Sequence, residues 1–107
     1  MITKEEFKKQ VTLTDLCGGC LNGLVDIAYA KLVDLLGEPN CENDGYKVDA
    51  EWAVSFKDET FSIYNYKSGK NYNGEEGLPL EEIRDWHIGG KNKEKAAELI
   101  ELLESTE

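Results

Sequence analysis

The part of the sequence that decides the fold is a pair of alternating segments, Ala50-Glu51-Trp52-Ala53-Val54-Ser55-Phe56-Lys57 and Thr60-Phe61-Ser62-Ile63-Tyr64-Asn65-Tyr66, joined by Asp58-Glu59. In both segments large apolar side chains occupy every second position, which is the period of a strand with one buried face. The short polar join predicts a two-residue turn. The stretch therefore predicts an antiparallel β-hairpin whose buried side chains are Trp52, Val54, Phe56, Phe61 and Ile63.

The opposite face of this hairpin carries two tyrosines, Tyr64 and Tyr66. Tyrosine is amphipathic and is enriched at recognition surfaces, because it buries a large area with little loss of rotamer freedom. A second layer packed over the face explains the two tyrosines equally well. If the face is uncovered, it favours a homodimer.

Helices are predicted on both sides of the hairpin. Thr3-Lys4-Glu5-Glu6 has the order of a capping box, which predicts a first helix that ends near Thr12. Residues 28–36 have apolar side chains at helical spacing and are followed by Gly37 and Pro39, which predict the end of a second helix. Residues 93–104 predict a closing helix that buries Leu99 and Leu103.

The remaining segments predict strands and a loop. Residues 24–27 predict a brief strand, and residues 83–88 predict a third main strand. Residues 68–77 contain three glycines and predict an exposed loop. Together the pattern predicts an α+β fold, a small single domain in which helices pack on one face of an antiparallel sheet of three or four strands.

The length of 107 residues fits one domain of ordinary size. Residues 1–22 are interpreted as an N-terminal extension made of a helix and a turn rich in glycine and cysteine. Residues 23–107 are then the α+β core domain.

The net charge of the chain limits the classes of partner that it is expected to bind. The chain has 12 Lys and Arg against 22 Asp and Glu, a net charge of -10. Such a chain repels phosphate backbones and anionic membrane surfaces, so we expect neither direct nucleic-acid binding nor membrane binding. No apolar run approaches the length of a membrane span, and the first residues lack the apolar core of a signal peptide. A cytoplasmic location is therefore expected.

Three cysteines, Cys17, Cys20 and Cys41, make a disulfide framework improbable in such a chain, so the thiols are expected to be reduced. Cys17 and Cys20 have CxxC spacing, but zinc normally needs four ligands and the two glycines between them oppose a helix start. A tight glycine turn is the preferred interpretation. We therefore predict no metal site and no cofactor.

The segment Asp85-Trp86-His87-Ile88-Gly89-Gly90 holds the only histidine of the chain. Asp85 projects to the same strand face as His87 and could orient its ring, but no serine lies in a nucleophile-elbow pattern. A histidine satisfied within a sheet is the preferred interpretation. We predict a protein that is not an enzyme and has no catalytic residues.

Four blocks of the sequence, residues 32–40, 44–52, 63–72 and 85–90, are similar in content and order to a group of small tailed-bacteriophage proteins that usually carry no assigned function. The resemblance spans about residues 23–104. It implies a phage setting, and it brings no catalytic residues.

A small acidic protein made by a phage inside a bacterium is often an inhibitor of a host antiviral defence, of the anti-CRISPR or anti-restriction type. Carboxylates on a rigid scaffold present negative charge to a nuclease groove built for phosphates. We expect the partner to be a host defence protein, a nuclease or its complex, although acidic surfaces also serve solubility. The expected contact residues are Glu38, Asp44, Glu75, Glu76, Glu81 and Glu82, with Glu42 and Asp49 beside them.

An alternative function is a sponge that sequesters a nucleotide second messenger of host defence. Aromatic side chains would stack on the base, and backbone amides before the last helix would face the phosphate. The expected ligand residues are Tyr64, Tyr66, Trp86, His87, Gly89, Gly90 and Lys91. A third alternative is a phage accessory protein with no defence role.

Overall fold

The computed structural model describes residues 2–15, 20–41 and 48–106, apart from the side chain of Cys20. Within these residues five strands form one antiparallel sheet: β1 (Val11–Leu13), β2 (Cys20–Asp26), β3 (Glu51–Phe56), β4 (Glu59–Tyr64) and β5 (Asp85–Gly90). Their order across the sheet is β1, β3, β4, β5, β2. The α+β prediction is confirmed, but the sheet has more strands than the three or four expected.

Four α-helices accompany the sheet in the described residues: α1 (Lys4–Gln10), α2 (Tyr29–Leu36), α3 (Lys70–Asn73) and α4 (Lys93–Ser105). The cap predicted for α1 is present, since the Thr3 hydroxyl accepts a hydrogen bond from the Glu6 amide at 3.2 Å. Helix α1 ends earlier than predicted because Val11 already pairs with β3. Helix α2 ends at Gly37, whose φ of 85° favours glycine.

The central hairpin pairs Trp52 with Ile63 across β3 and β4. Its turn is Lys57-Asp58 and not the predicted Asp58-Glu59, because Glu59 is already paired with Phe56. Both turn residues have positive φ, 51° and 64°. This conformation matches the right-handed twist of the flanking strands.

The core lies between one face of the sheet and the helices α1, α2 and α4, as the predicted architecture requires. Every side chain predicted to be in the core is buried: Trp52, Val54, Phe56, Phe61, Ile63, Leu99 and Leu103. The rings of Trp52 and Trp86 meet edge to face with centroids 5.4 Å apart. Their indole N–H groups donate to the carbonyls of Gly37 at 2.9 Å and Ile83 at 3.3 Å, so neither tryptophan leaves a buried donor unsatisfied.

The segment 1–22, interpreted as an extension, contributes to this same core and sheet. Phe7 in α1 is fully buried. β1 pairs with β3 at one edge of the sheet, and β2, which begins within this segment, pairs with β5 at the other edge. The short β1 was missed because three residues carry too little periodic signal and their pairing partner lies far along the chain.

Strand β5 covers residues 85–90 instead of the predicted 83–88, so it includes the two glycines. A Cβ added at Gly90 would lie 2.6 Å from Cδ1 of Phe61. The glycine therefore permits the close approach of β4 and β5 at this point. Among the described residues, no helix has both the length and the apolarity needed to cross a membrane.

Candidate functional site

The β4–β5 connection, residues 65–84, crosses from one central strand to the next and carries most of the exposed candidate residues. It begins at Asn65, which is fully buried. The Asn65 side-chain oxygen accepts hydrogen bonds from the amides of Asp49 at 2.7 Å and Ala50 at 3.1 Å. Its side-chain nitrogen donates to Asp49 Oδ1 at 2.9 Å and to Ser68 Oγ at 3.3 Å. Asn65 therefore ties the start of the connection to the chain that enters β3.

Asp49 holds the next part of the connection. Its second carboxylate oxygen accepts a hydrogen bond from the Asn71 amide at 3.1 Å, in the first turn of α3. A carboxylate at this end of a helix also interacts favourably with the helix dipole. The carboxylate lies directly against Gly69, where a Cβ would collide with it. Glycine is needed at residue 69 for this contact.

The predicted loop 68–77 is in fact ordered as two short helical segments, α3 and a 3-10 turn over Gly74–Glu76. A second 3-10 turn, Leu80–Glu82, follows. The amide of Leu78 donates to the carbonyl of Ser68 at 3.1 Å, which closes the ends of the loop. The side chains of Asn71 and Asn73 stabilise this part of the connection by donating hydrogen bonds to backbone carbonyls. Such bonds leave no apolar periodicity in the sequence, so the helical segments were not predicted.

The carboxylates of the connection point to solvent. Glu75, Glu76, Glu81 and Glu82 are all exposed. In the described part of the chain the ion pairs are Lys4–Asp34, Lys57–Glu98 and Arg84–Asp26, and none of them involves these four carboxylates. Among the described residues, these four carboxylates therefore carry negative charge outside any ion pair.

The same connection also carries exposed apolar and aromatic side chains. Tyr66 is 42% exposed, Tyr72 38% and Leu78 45%, although large apolar side chains are usually better buried. The Lys67 ammonium lies 5.3 Å from the centroid of each tyrosine ring. We call the set Tyr66, Tyr72, Leu78, Glu75, Glu76, Glu81 and Glu82 the acidic–aromatic surface.

Three of the predicted ligand residues, Tyr64, Tyr66 and His87, meet on the sheet face opposite the core. Tyr64 is the cross-strand partner of His87, with ring centroids 5.3 Å apart. The Tyr66 ring lies 5.8 Å from the same imidazole. Burial lowers the pKa of His87, and the negative charge of Asp85 opposes this in part. The described contacts include no hydrogen bond from the His87 ring to the Asp85 carboxylate, so they do not support the orienting role considered for Asp85.

The remaining predicted ligand residues are not brought together with these rings. Trp86 is fully buried beneath the helices, so it cannot stack on a ligand in this structure. Gly90 is buried against Phe61, and Gly89 is also buried. Lys91 is exposed, but the first turn of α4 is capped by Asn92, whose side chain accepts a hydrogen bond from Lys95 N at 3.0 Å.

Two cavities in the described part of the chain, of about 280 Å³ and 310 Å³, also lie away from these residues. The first is lined by residues of α1, α4 and the hairpin turn. The second is lined by residues around the β2–α2 junction and the end of α4. Neither is lined by a predicted ligand residue, so neither serves as a nucleotide pocket of the predicted kind.

Of the predicted partner contacts near the second loop, Glu38 is exposed and lies near Tyr29. Burial raises the pKa of Tyr29, and the negative charge of Glu38 adds to this effect. Asp44 and Glu42 lie outside the described residues, as does Cys17. Within the described ranges, no group of three or more His, Cys, Asp or Glu is placed to hold a metal ion.

Cys41 corrects the expectation of reduced thiols, because it is disulfide-bonded. The expectation rested on the odd number of cysteines and on the expected cytoplasmic location. Neither the redox state of the cytoplasm nor an odd number of cysteines shows which cysteines are close together. A disulfide forms where the fold brings two cysteines within bonding distance.

Sequence reasoning did not identify Asn65 or Lys67 as residues of the site. It placed Asp49 beside the expected partner contacts, whereas the Asp49 carboxylate accepts hydrogen bonds from Asn65 and Asn71. The sequence does hold a partial signal, since Tyr72 is the only aromatic residue of the glycine-rich segment 68–77. The asparagines give no such signal. In the sequence, an asparagine in an exposed turn cannot be told from a buried asparagine that holds two segments together by hydrogen bonds.

Comparison of the chain with family models, with curated proteins and with solved structures gave no match.

Proposed function

We propose that the protein is a phage-encoded, non-enzymatic inhibitor that binds a host antiviral defence protein through its acidic–aromatic surface, in the bacterial cytoplasm. The partner would be a nuclease or its complex, of the kind that CRISPR or restriction systems use. One observation carries the proposal: exposed Tyr66, Tyr72 and Leu78 lie on the same ordered connection as four carboxylates outside any described ion pair.

This combination matches the anatomy of a protein-binding surface. Interface energy is concentrated in a few large side chains, often tyrosines, surrounded by polar groups that exclude water. Here Tyr72 and Leu78 are the candidate anchors, and Glu75 and Glu76 are part of the rim. The partner should therefore present a basic surface with an apolar contact point.

Charge accounts for the choice of a nuclease. A groove that binds a phosphate backbone carries positive potential. A protein with a net charge of -10 is attracted to such a groove, and the attraction speeds the encounter. The acidic–aromatic surface would then block the groove by occupying it, without chemistry.

The rigidity of the β4–β5 connection makes it a better candidate interface than other acidic parts of the molecule. Asn65 and Asp49 fasten it through side-chain hydrogen bonds of 2.7 to 3.1 Å to backbone amides. A surface that is already ordered loses less conformational entropy on binding. Helix α4 also carries exposed acidic residues, but among the described residues it has no large exposed apolar side chain that could anchor a partner.

A nucleotide sponge is less well supported by the same geometry. Its predicted stacking residue, Trp86, is in the core, and the cavities described above are not lined by its predicted ligand residues. A homodimer through the tyrosine face would bring together two strongly negative chains. We therefore retain the protein-directed inhibitor.

The proposal is tested by phage plating on bacteria that each carry one defined restriction or CRISPR system and express the protein. The wild type should raise plating efficiency on at least one strain. The variant Glu75→Gln/Glu76→Gln/Glu81→Gln/Glu82→Gln should lose the effect, with affinity for the inhibited protein reduced on the order of tenfold because both rim contacts and steering are weakened.

The matched control neutralises four exposed carboxylates elsewhere, at Glu5, Glu94, Glu101 and Glu104. It changes the net charge equally and should keep most of the activity. Failure of the wild type to protect phage from any system would refute the inhibitor. Equal loss in both variants would show that net charge, and not this surface, determines binding.

A further inference from the structure

We propose that Tyr66 and Tyr72 form a binding site for an arginine side chain of the partner protein, and that Lys67 occupies this site while the partner is absent. The inference rests on the proposed function, since it names the chemistry by which the same surface would recognise a basic partner. It concerns a part of the acidic–aromatic surface that already holds a cation.

The geometry is that of two aromatic rings sharing one ammonium group. The Lys67 Nζ atom lies 5.3 Å from the centroid of the Tyr66 ring and 5.3 Å from that of the Tyr72 ring. Both distances fall within the range of about 6 Å in which a cation is attracted by the face of a ring. The rings come from different segments, one directly after β4 and the other in α3, so the fold brings them to the same cation.

Lys67 is held there by the connection. Its φ of 60° lies in the left-handed region, which a residue with a side chain seldom adopts. The Asn73 side chain donates to the Lys67 carbonyl at 2.9 Å and fixes this backbone. Although the chain is acidic, Lys67 makes no ion pair with any described residue. The rings are thus its described side-chain partners.

An arginine from a partner should bind this site better than Lys67 does. The ammonium group of lysine is compact and strongly hydrated, whereas the planar guanidinium is less hydrated and stacks on aromatic rings. The guanidinium can also donate two hydrogen bonds to one carboxylate. Glu75 and Glu76 follow Tyr72 in the sequence, and no described ion pair includes them. Either carboxylate is therefore a candidate acceptor for such a bond.

The first experiment is an NMR titration of the full chain with a short Gly-Ser peptide that carries several arginines. The control peptide has citrulline at those positions, which keeps the shape and removes the charge. The ring protons of Tyr66 and Tyr72 should shift in a saturable manner with the arginine peptide alone. Equal shifts with the citrulline peptide, or no shift at either ring, would overturn the proposal.

Variants separate the aromatic site from general electrostatic attraction. Lys67→Gln removes the ammonium group that competes for the two rings and should bind the arginine peptide about two- to fivefold more tightly than the wild type does. Lys70→Gln is the matched control, because Lys70 lies in the same connection and the change in net charge is identical. Equal tightening in both variants would contradict an occupied site, since charge alone would explain it.

Tyr72 provides the second pair of variants. Tyr72→Phe keeps the ring face and should retain binding, whereas Tyr72→Leu removes it and should weaken binding severalfold. Wild-type affinity in Tyr72→Leu would overturn the proposal. Circular dichroism spectra check that each variant is folded.

The peptide titration needs no defence protein, so its failure is distinguishable from failure of the proposed function. Phage protection without peptide binding would refute the arginine site and leave the inhibitor. Peptide binding at the two rings without phage protection would leave the site and refute the inhibitor.

Discussion

His87 lies among the Tyr64 and Tyr66 rings, and its burial lowers its pKa below the ordinary value of 6.5. Between the two pKa values the unfolded chain binds more protons than the folded chain does. The contribution of the neutral imidazole to stability is therefore complete above the unfolded pKa and is lost as the pH falls through the folded pKa. We expect a lower Tm at about pH 5.5 than at about pH 7.5.

The control for this prediction is His87→Gln, which removes the titrating group and keeps a polar side chain. The difference in Tm between the two pH values should be smaller in the variant than in the wild type. If the two proteins have the same pH dependence in thermal denaturation, His87 does not contribute and carboxylates account for the whole effect.

Cys41 is the second single residue with a measurable consequence, since it is disulfide-bonded. Removal of a disulfide typically costs about 2–4 kcal/mol. Dithiothreitol should therefore lower the Tm of the wild type. The Tm of Cys41→Ser should equal that of the reduced wild type, and dithiothreitol should not change it. A wild-type Tm unchanged by dithiothreitol would contradict a stabilising bond. Thiols are kept reduced in the cytosol, so the proposed cytoplasmic location requires the fold to persist without this bond.

At the scale of elements, the β4–β5 connection should depend on Asn65 more than on its exposed asparagines. Asn65→Ala leaves the amides of Asp49 and Ala50 without their acceptor and should lower the free energy of unfolding by about 2–4 kcal/mol in urea titrations. It should also speed hydrogen exchange in α3. Asn71→Ala, in the same connection, removes an exposed side-chain hydrogen bond to Val48 and should cost less than about 1 kcal/mol. Equal losses would show that Asn65 is not the residue that holds the connection to the chain before β3.

The elements also differ in how far the sequence predicts them. β3, β4 and α4 are predicted well, because their apolar periodicity comes directly from the face that they bury. β1 and α3 are not, because neither element has such a face. β1 is stabilised by pairing with β3, and α3 by the hydrogen bond that the Asn71 amide donates to the Asp49 carboxylate. Pairing and side-chain hydrogen bonds join residues distant in sequence, and no local pattern records them.

For the whole molecule, the net charge of -10 predicts that salt is stabilising. Screening weakens the mutual repulsion of carboxylates over distances of about 10 Å at 0.1 M salt. The described ion pairs are exposed, so the loss of their attraction is small. The Tm should rise by a few degrees between about 20 mM and about 500 mM NaCl. The rise should be smaller in the variant with four Glu→Gln changes, and a fall in Tm would show that ion pairs dominate.

The candidate site could be predicted from the sequence only in part. The acidic residues Glu75, Glu76, Glu81 and Glu82 are exposed as expected, since charged side chains in a glycine-rich segment seldom become buried. Trp86 was misassigned to a ligand site because an aromatic residue beside glycines looks the same in a binding loop and in a buried strand. Its burial depends on Trp52 and Tyr29, which the fold places against it.

The central claim is that the acidic–aromatic surface binds a defence protein. Hydrogen–deuterium exchange of the chain, alone and in complex with the defence protein that the plating experiment identifies, tests it most directly. We expect the partner to slow exchange of the amides in residues 66–82 more than in α4 or β2. Protection confined to α4 or β2, with residues 66–82 unchanged, would refute binding through the acidic–aromatic surface.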